Sequence, residues 1–117
     1  MKVSRAMTRN VRMIRPDDTI CDAAKLMAEC DCGALPVTDG ERLIGMITDR
    51  DLALRAVAHN MGPRTKVSDV MTPNVKYCFD DQDTEEVAEN MAEIQIRRLP
   101  VVDHEKNLVG ILALGDL

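Results

Sequence analysis

Val3-Ser4-Arg5-Ala6-Met7-Thr8-Arg9-Asn10-Val11 returns as Val67-Ser68-Asp69-Val70-Met71-Thr72-Pro73-Asn74-Val75, a shift of 64 residues. An internal repeat governs every later reading, because missing it gives the wrong fold. The same shift matches Asp17 to Asp81, Ala24 to Ala88 and Met27-Ala28-Glu29 to Met91-Ala92-Glu93. It then runs into Leu35-Pro36-Val37 and Leu99-Pro100-Val101, with Asp39 against Asp103, and 15 of the 37 aligned positions are identical. Gly40 faces both His104 and Glu105, so Leu43-Ile44-Gly45 matches Leu108-Val109-Gly110 at a shift of 65. A turn absorbs such an insertion, whereas a strand would flip its faces.

Hydrophobic periods change in the same order within each copy. Val11 to Ile14 reads as a short strand, after which Ile20, Ala23, Ala24 and Met27 recur at helical spacing. Thr84, Val87, Ala88, Met91 and Ile94 form the matching stripe of the second copy. Thr19 with Asp22 has the spacing of a capping box that starts the first helix, and Asp83 with Glu86 reads the same way. Ala34 to Val37 and Leu43 to Ile47 are apolar strands around Asp39-Gly40, a hairpin signal. Asp51 to Ala58 reads as a closing helix whose apolar face is Leu52, Ala53, Ala56 and Val57, ended by Asn60-Met61-Gly62-Pro63. The boundaries expected from the repeat are 1–62 and 63–117, the second copy lacking its closing helix. Truncation, partial order or a partner covering that end would account for the difference.

Composition limits the function. A chain of 117 residues with 45% apolar and 30% charged residues and net charge -5 has the balance of an ordinary soluble protein. No basic excess points to nucleic acid, and Tyr77 and Phe79 are too few aromatics for a stacking platform. Apolar runs are too short for a membrane span, and the first ten residues lack the apolar core of a signal peptide, so a cytoplasmic location is expected. Four cysteines at 21, 30, 32 and 78 give a weak metal signal and are expected as reduced, mostly buried thiols. His59 and His104 have no orienting partner visible in sequence, which argues against an enzyme.

The starting Val-Ser-x-x-Met-Thr segments, the Leu-Pro-Val strands, Gly45-Met46-Ile47-Thr48-Asp49-Arg50-Asp51 and Gly110-Ile111-Leu112-Ala113-Leu114-Gly115-Asp116 together resemble the cystathionine-β-synthase-type (CBS) domain pair, or Bateman module, of stand-alone CBS-domain proteins. The resemblance implies an α/β (α+β) fold of two pseudo-symmetric β-α-β-β-α repeats forming one module. It also implies a cleft for AMP, ADP, ATP or S-adenosylmethionine, no obligatory cofactor, and frequent dimerisation into a flat disc. In that family a Gly-h-h-Ser/Thr-x-x-Asp segment presents its carboxylate to ribose and its hydroxyl to phosphate.

Carried onto this sequence, Thr48 and Asp51 would meet Thr72, Val75, Leu99 and Pro100 in one cleft. Asp116, Arg97 and Arg98 would meet Thr8, Val11, Leu35 and Pro36 in the other. The chemistry is sound without the family name, since a carboxylate accepts two hydrogen bonds from a vicinal diol. Thr48 and Asp51 also read as a capping box needing no ligand. Ala113 replaces the hydroxyl residue in the second copy, and Arg97 and Arg98, which project to opposite faces of a strand, are either phosphate contacts or a solvated pair. Two functions stay open: an adenosine-binding regulatory module acting on a protein partner or an oligomer, and a dimerisation module with weak or no nucleotide binding. A homodimer is expected from apolar helix faces that one small repeat does not cover.

Overall fold

The computed structural model describes residues 1–117 except for the side chain of Asp116. In chain order the elements are α1 (Val3–Ala6), α2 (Ile20–Cys30), β1 (Ala34–Asp39), β2 (Arg42–Thr48), α3 (Asp49–Asp51), β3 (Thr72–Pro73), β4 (Cys78–Phe79), α4 (Thr84–Glu93), β5 (Arg98–Val102) and β6 (Leu108–Ala113). Helix α3 continues as a π-helical turn over Leu52–Ala56 and a 3-10 turn over Val57–His59. Further 3-10 turns lie at Val67–Asp69 and Leu114–Asp116. These elements form two β-α-β-β-α-like repeats of a mixed α/β fold.

Two compact units result, Arg12–Val75 and Met1–Val11 with Lys76–Leu117. In the first, β1 and β2 form an antiparallel hairpin that turns at Gly40, whose φ of 62° suits a residue without Cβ. Strand β3 lies antiparallel on the free edge of β2, and Ile14 makes a single parallel bridge to Val37 on the other side. Alternation along β2 sends Leu43 and Ile47 inward, and Ile47 joins Ile20, Ala23 and Met27 of α2 in one core with Leu35 and Val37. In the second unit β4 pairs in parallel with β5, which pairs antiparallel with β6. Its core holds Cys78, Val87, Met91, Leu99, Val101 and Leu112. Both hairpins carry a register irregularity at the matching place, Val37/Thr38 and Val101/Val102, so the extra residue is confined to the turn beyond it.

Each unit takes its leading segment from the other repeat. Val3 and Met7 lie in the core with Val87 and Leu112, while Val67 and Val70 lie in the core with Ile20 and Ile47. The backbone bonds repeat at the same offset: Val3 N–H donates to Gln82 O and Val67 N–H to Asp18 O. Ser4 and Ser68 donate to Asp80 O and Pro16 O, and Thr84 and Ile20 to Met1 O and Thr65 O. Glycine makes the approach possible. A Cβ at Gly45 would stand 2.7 Å from Thr72 O, and one at Gly110 would stand 2.9 Å from Thr8 O.

Several local expectations change. The capping box at Thr19 and Asp22 is present in full, whereas Asp83 caps Glu85 N–H and Glu86 returns no bond to it. Ala24 is exposed, because the inward stripe of α2 is Ile20, Ala23 and Met27 and one more adjacent position falls outside it. Val11 to Ile14 forms no strand beyond the one bridge at Ile14. The closing helix begins at Asp49, two residues early, and its π-helical turn keeps Ala56 buried while Val57 is 70% exposed. Cys30 and Cys32 are joined as a disulfide across Asp31, whose left-handed backbone (φ 50°) folds the chain back after α2 and brings the two Cα atoms to 5.3 Å. Cys21 and Cys78 remain thiols, and burial pushes the Cys78 thiol up to about 11, with Asp80 adding to the effect.

Candidate functional site

Thr48 ends β2 and caps α3, so the chain reverses from strand to helix over the segment that carries the candidate residues. Thr48 N–H donates to Asp51 Oδ2 at 3.0 Å, and Asp51 N–H donates to Thr48 Oγ1 at 3.0 Å. The capping box is therefore real. It uses one carboxylate oxygen and leaves Oδ1, which lies 3.9 Å from Nη1 of Arg55 one turn on. The Asp51 side chain is 13% exposed and that of Arg55 50% exposed.

Strand β3 brings Thr72 to the same place. It pairs with Met46 of β2, and Arg55 Nη1 donates to Thr72 Oγ1 and Met71 O, both at 3.3 Å. Thr48, Asp51 and Thr72 of the expected first cleft are thus gathered inside one unit, joined by Arg55. Arg55 was not among the residues read from sequence. Its signal was the Asp51-to-Arg55 spacing of four, which puts both side chains on one helix face. Val75 is half-buried at the end of this unit. Leu35 is 1% exposed and belongs to the unit's core, leaving the backbone of Leu35 and Pro36 as the polar groups these residues can offer.

The other unit repeats the backbone frame, with Ala113 standing where the first has Thr48. Leu114 N–H donates to Arg97 O as Asp49 N–H donates to Gly33 O, Arg98 pairs with Ala113, and Thr8 exchanges backbone bonds with Ile111. Arg97, Arg98 and Thr8 are exposed and Val11 half-buried, while Leu99 and Pro100 are buried in β5. Asp116 ends a 3-10 turn, and its side chain lies outside the described residues. Ala113 removes the hydroxyl that Thr48 supplies, so a capping box of the Thr48–Asp51 kind is chemically impossible here.

The inserted turn has its own chemistry. His104 Nε2 lies 2.7 Å from Asp81 Oδ2, and its ring stacks on Phe79 at 4.6 Å between centroids. Tyr77 meets Phe79 edge to face, with the Lys106 ammonium 5.6 Å from the Tyr77 centroid. His104 therefore has an orienting carboxylate, contrary to the sequence reading. The hydrogen bond to Asp81 raises the imidazole above its ordinary range and lowers the Asp81 carboxyl below its own. Both are well exposed. Among the described residues no group of three or more His, Cys, Asp or Glu side chains is arranged to hold a metal, and no helix is long and apolar enough to cross a membrane.

A CBS-domain family model matches residues 3–57 and 67–117, which takes in both strand-to-helix turns and both leading segments. The chain is a tandem CBS-domain protein. Among relatives of this CBS pair, the CBS domain-containing protein YhcV of Bacillus subtilis is 45% identical over 115 residues, 98% of this chain and 81% of that protein. The solved structure of CBSX2 in complex with AMP superposes with TM-score 0.84 at 32% identity, covering 98% of this chain and 91% of the other. The CBS domain pair of protein MJ0100, solved with 5-methylthioadenosine and S-adenosyl-L-methionine, superposes with TM-score 0.82 at 29% identity, covering 99% and 91%. Membership of this family supports a ligand-binding regulatory role for the CBS pair in general terms.

Proposed function

We propose that this CBS pair is a regulatory module that binds an adenosine-containing ligand at the Thr48–Asp51 turn and changes the state of a protein partner or an oligomer. The observation carrying this is the division of labour at Asp51. One carboxylate oxygen completes the capping box, and the other faces the Arg55 guanidinium, which also bonds Thr72. A second-row acceptor fixed in this way needs no reorganisation to receive a ribose hydroxyl. Adenosine ligands in CBSX2 and in the MJ0100 pair support the ligand class. A cytoplasmic setting, where such ligands are abundant, suits this reading.

Calorimetric titration with AMP, ATP and S-adenosylmethionine tests it on the wild type, Asp51→Ala and Asp116→Ala. Losing a charged hydrogen bond costs roughly 1.5 to 3 kcal/mol, a tenfold to hundredfold loss of affinity, and the larger loss is expected at Asp51. Unchanged affinity in a folded Asp51→Ala protein would leave helix capping as the carboxylate's full role.

A second reading has its own support. Thr48 and Asp51 satisfy each other without a ligand, and Leu54, Val57 and Met61 are 50%, 70% and 40% exposed along and just after the closing helix. In this reading the chain is a homodimerisation module with weak or no nucleotide binding. Sedimentation showing a dimer, together with calorimetry showing no heat for any of the three ligands, would favour it.

A further inference from the structure

We propose that Arg55 is the specificity-determining cation of the Thr48–Asp51 site, selecting a 5'-phosphorylated adenosine ligand over the uncharged nucleoside. The inference rests on the adenosine-binding reading above and narrows its ligand class.

The observation is how the guanidinium is used. All three contacts of Arg55, to Met71 O at 3.3 Å, Thr72 Oγ1 at 3.3 Å and Asp51 Oδ1 at 3.9 Å, go through the single nitrogen Nη1. Nε and Nη2, the edge that forms a two-pronged fork, have no partner among the described residues. One nitrogen anchors the side chain between the helix and β3, and the fork edge remains for a planar or tetrahedral anion. That edge binds phosphate oxygens in pairs, with shorter and stronger bonds than neutral donors make.

Charge requires such a group. Asp49 and Asp51 flank the turn within a chain of net charge -5, so a phosphate brought beside Asp51 meets like charge unless a cation intervenes. Arg55 is the cation that pairs with Asp51, and its side chain is half exposed. The π-helical turn over Leu52–Ala56 contains Arg55 and carries it to Thr72. Local π geometry inside a helix commonly serves to place a functional side chain.

The test is calorimetry with AMP and with adenosine on the wild type, Arg55→Ala, Arg55→Gln and Asp51→Ala, each checked for folding by thermal denaturation. The wild type is expected to bind AMP at least tenfold more tightly than adenosine. Arg55→Ala should lose tenfold or more for AMP while adenosine stays within about twofold. Arg55→Gln, which keeps an amide able to reach Thr72 but carries no charge, should behave like Arg55→Ala. Asp51→Ala should weaken AMP and adenosine together, since both carry the ribose. Equal loss for both ligands in Arg55→Ala, or an AMP preference retained in Arg55→Gln, would overturn the proposal and leave the ribose reading standing. An Asp51→Ala protein of unchanged affinity would overturn the ribose reading while leaving the Arg55 result to stand by itself. A wild type that binds neither ligand would overturn both.

Discussion

Gly45 and Gly110 show how single atoms decide the packing of a leading segment on a hairpin. A methyl group at Gly45 would meet Thr72 O at 2.7 Å, and at Gly110 it would meet Met7 Sδ at 2.6 Å and Thr8 O at 2.9 Å. Met7 is the end of a flexible side chain and can yield, but the carbonyl oxygens belong to paired backbone and cannot. Overpacking of this kind costs roughly 1 to 3 kcal/mol. Gly45→Ala should therefore lower the urea midpoint, and by loosening β3 it should also displace Thr72 from Arg55 and weaken AMP binding. A Gly45→Ala protein as stable as the wild type would show that β3 shifts freely. The exposed pair of His104 and Asp81 makes a separate prediction. His104 is raised in the fold, so its share of the interaction is complete below about pH 6.5 and is lost as pH rises through its folded value. Asp81 is lowered, so its share is complete above about pH 4 and is lost as pH falls through its folded value. The pair thus acts between these limits. Asp81→Asn should move the NMR titration midpoint of the His104 ring downward, and an unmoved midpoint would mean that the contact is absent in solution.

Among the elements, α2 was the most legible and the closing helix the least. The Thr19–Asp22 box and the Ile20, Ala23, Met27 stripe follow directly from side-chain reach and a 3.6-residue period, and both are present. Thr19→Ala removes the acceptor for Asp22 N–H and should cost roughly 0.5 to 2 kcal/mol in chemical denaturation. Asp83→Ala should cost less, because Asp83 makes one bond to Glu85 N–H and no reciprocal box. The reverse order would show that the caps are not what holds these helix starts. The closing helix defeated the same arithmetic. A strict α-helical face groups Leu52, Ala53, Ala56 and Val57, but the π-helical turn adds to the residues per turn, so Ala56 stays inside while Ala53 and Val57 turn outward. Nothing in Leu52-Ala53-Leu54-Arg55-Ala56 announces that widening. The repeat and the motif therefore mark Thr48, Asp51 and Thr72 in the sequence, and leave unmarked the geometry that brings Arg55 to Thr72.

At the scale of the molecule, repetition in the sequence and compactness in space follow different boundaries. The 64-residue offset made the two β-α-β-β-α-like repeats legible, but it is silent on which body each leading segment joins, because both copies of the segment present apolar residues at the same positions. The structure answers with Val3 and Met7 in the core built on Cys78, Leu99 and Leu112, and with Val67 and Val70 in the core built on Ile14, Leu35 and Ile47. Residues far apart in sequence thus depend on one another, and Cys78 reports on that dependence. It is 3% exposed with its thiol held protonated at neutral pH by burial, so it should resist alkylation while the half-buried Cys21 reacts. Val3→Ala removes two buried carbons from the core that holds Cys78, which should cost roughly 1.5 kcal/mol or somewhat more by area alone. In that variant Cys78 should be alkylated several-fold faster, as measured by peptide mapping after timed iodoacetamide treatment, with little change at Cys21, which belongs to the other unit. Val67→Ala should do the reverse, accelerating Cys21 and sparing Cys78. Equal acceleration of both thiols in both variants would mean that the two units open together, and the exchange of leading segments would then couple them into one cooperative unit instead of two separable ones.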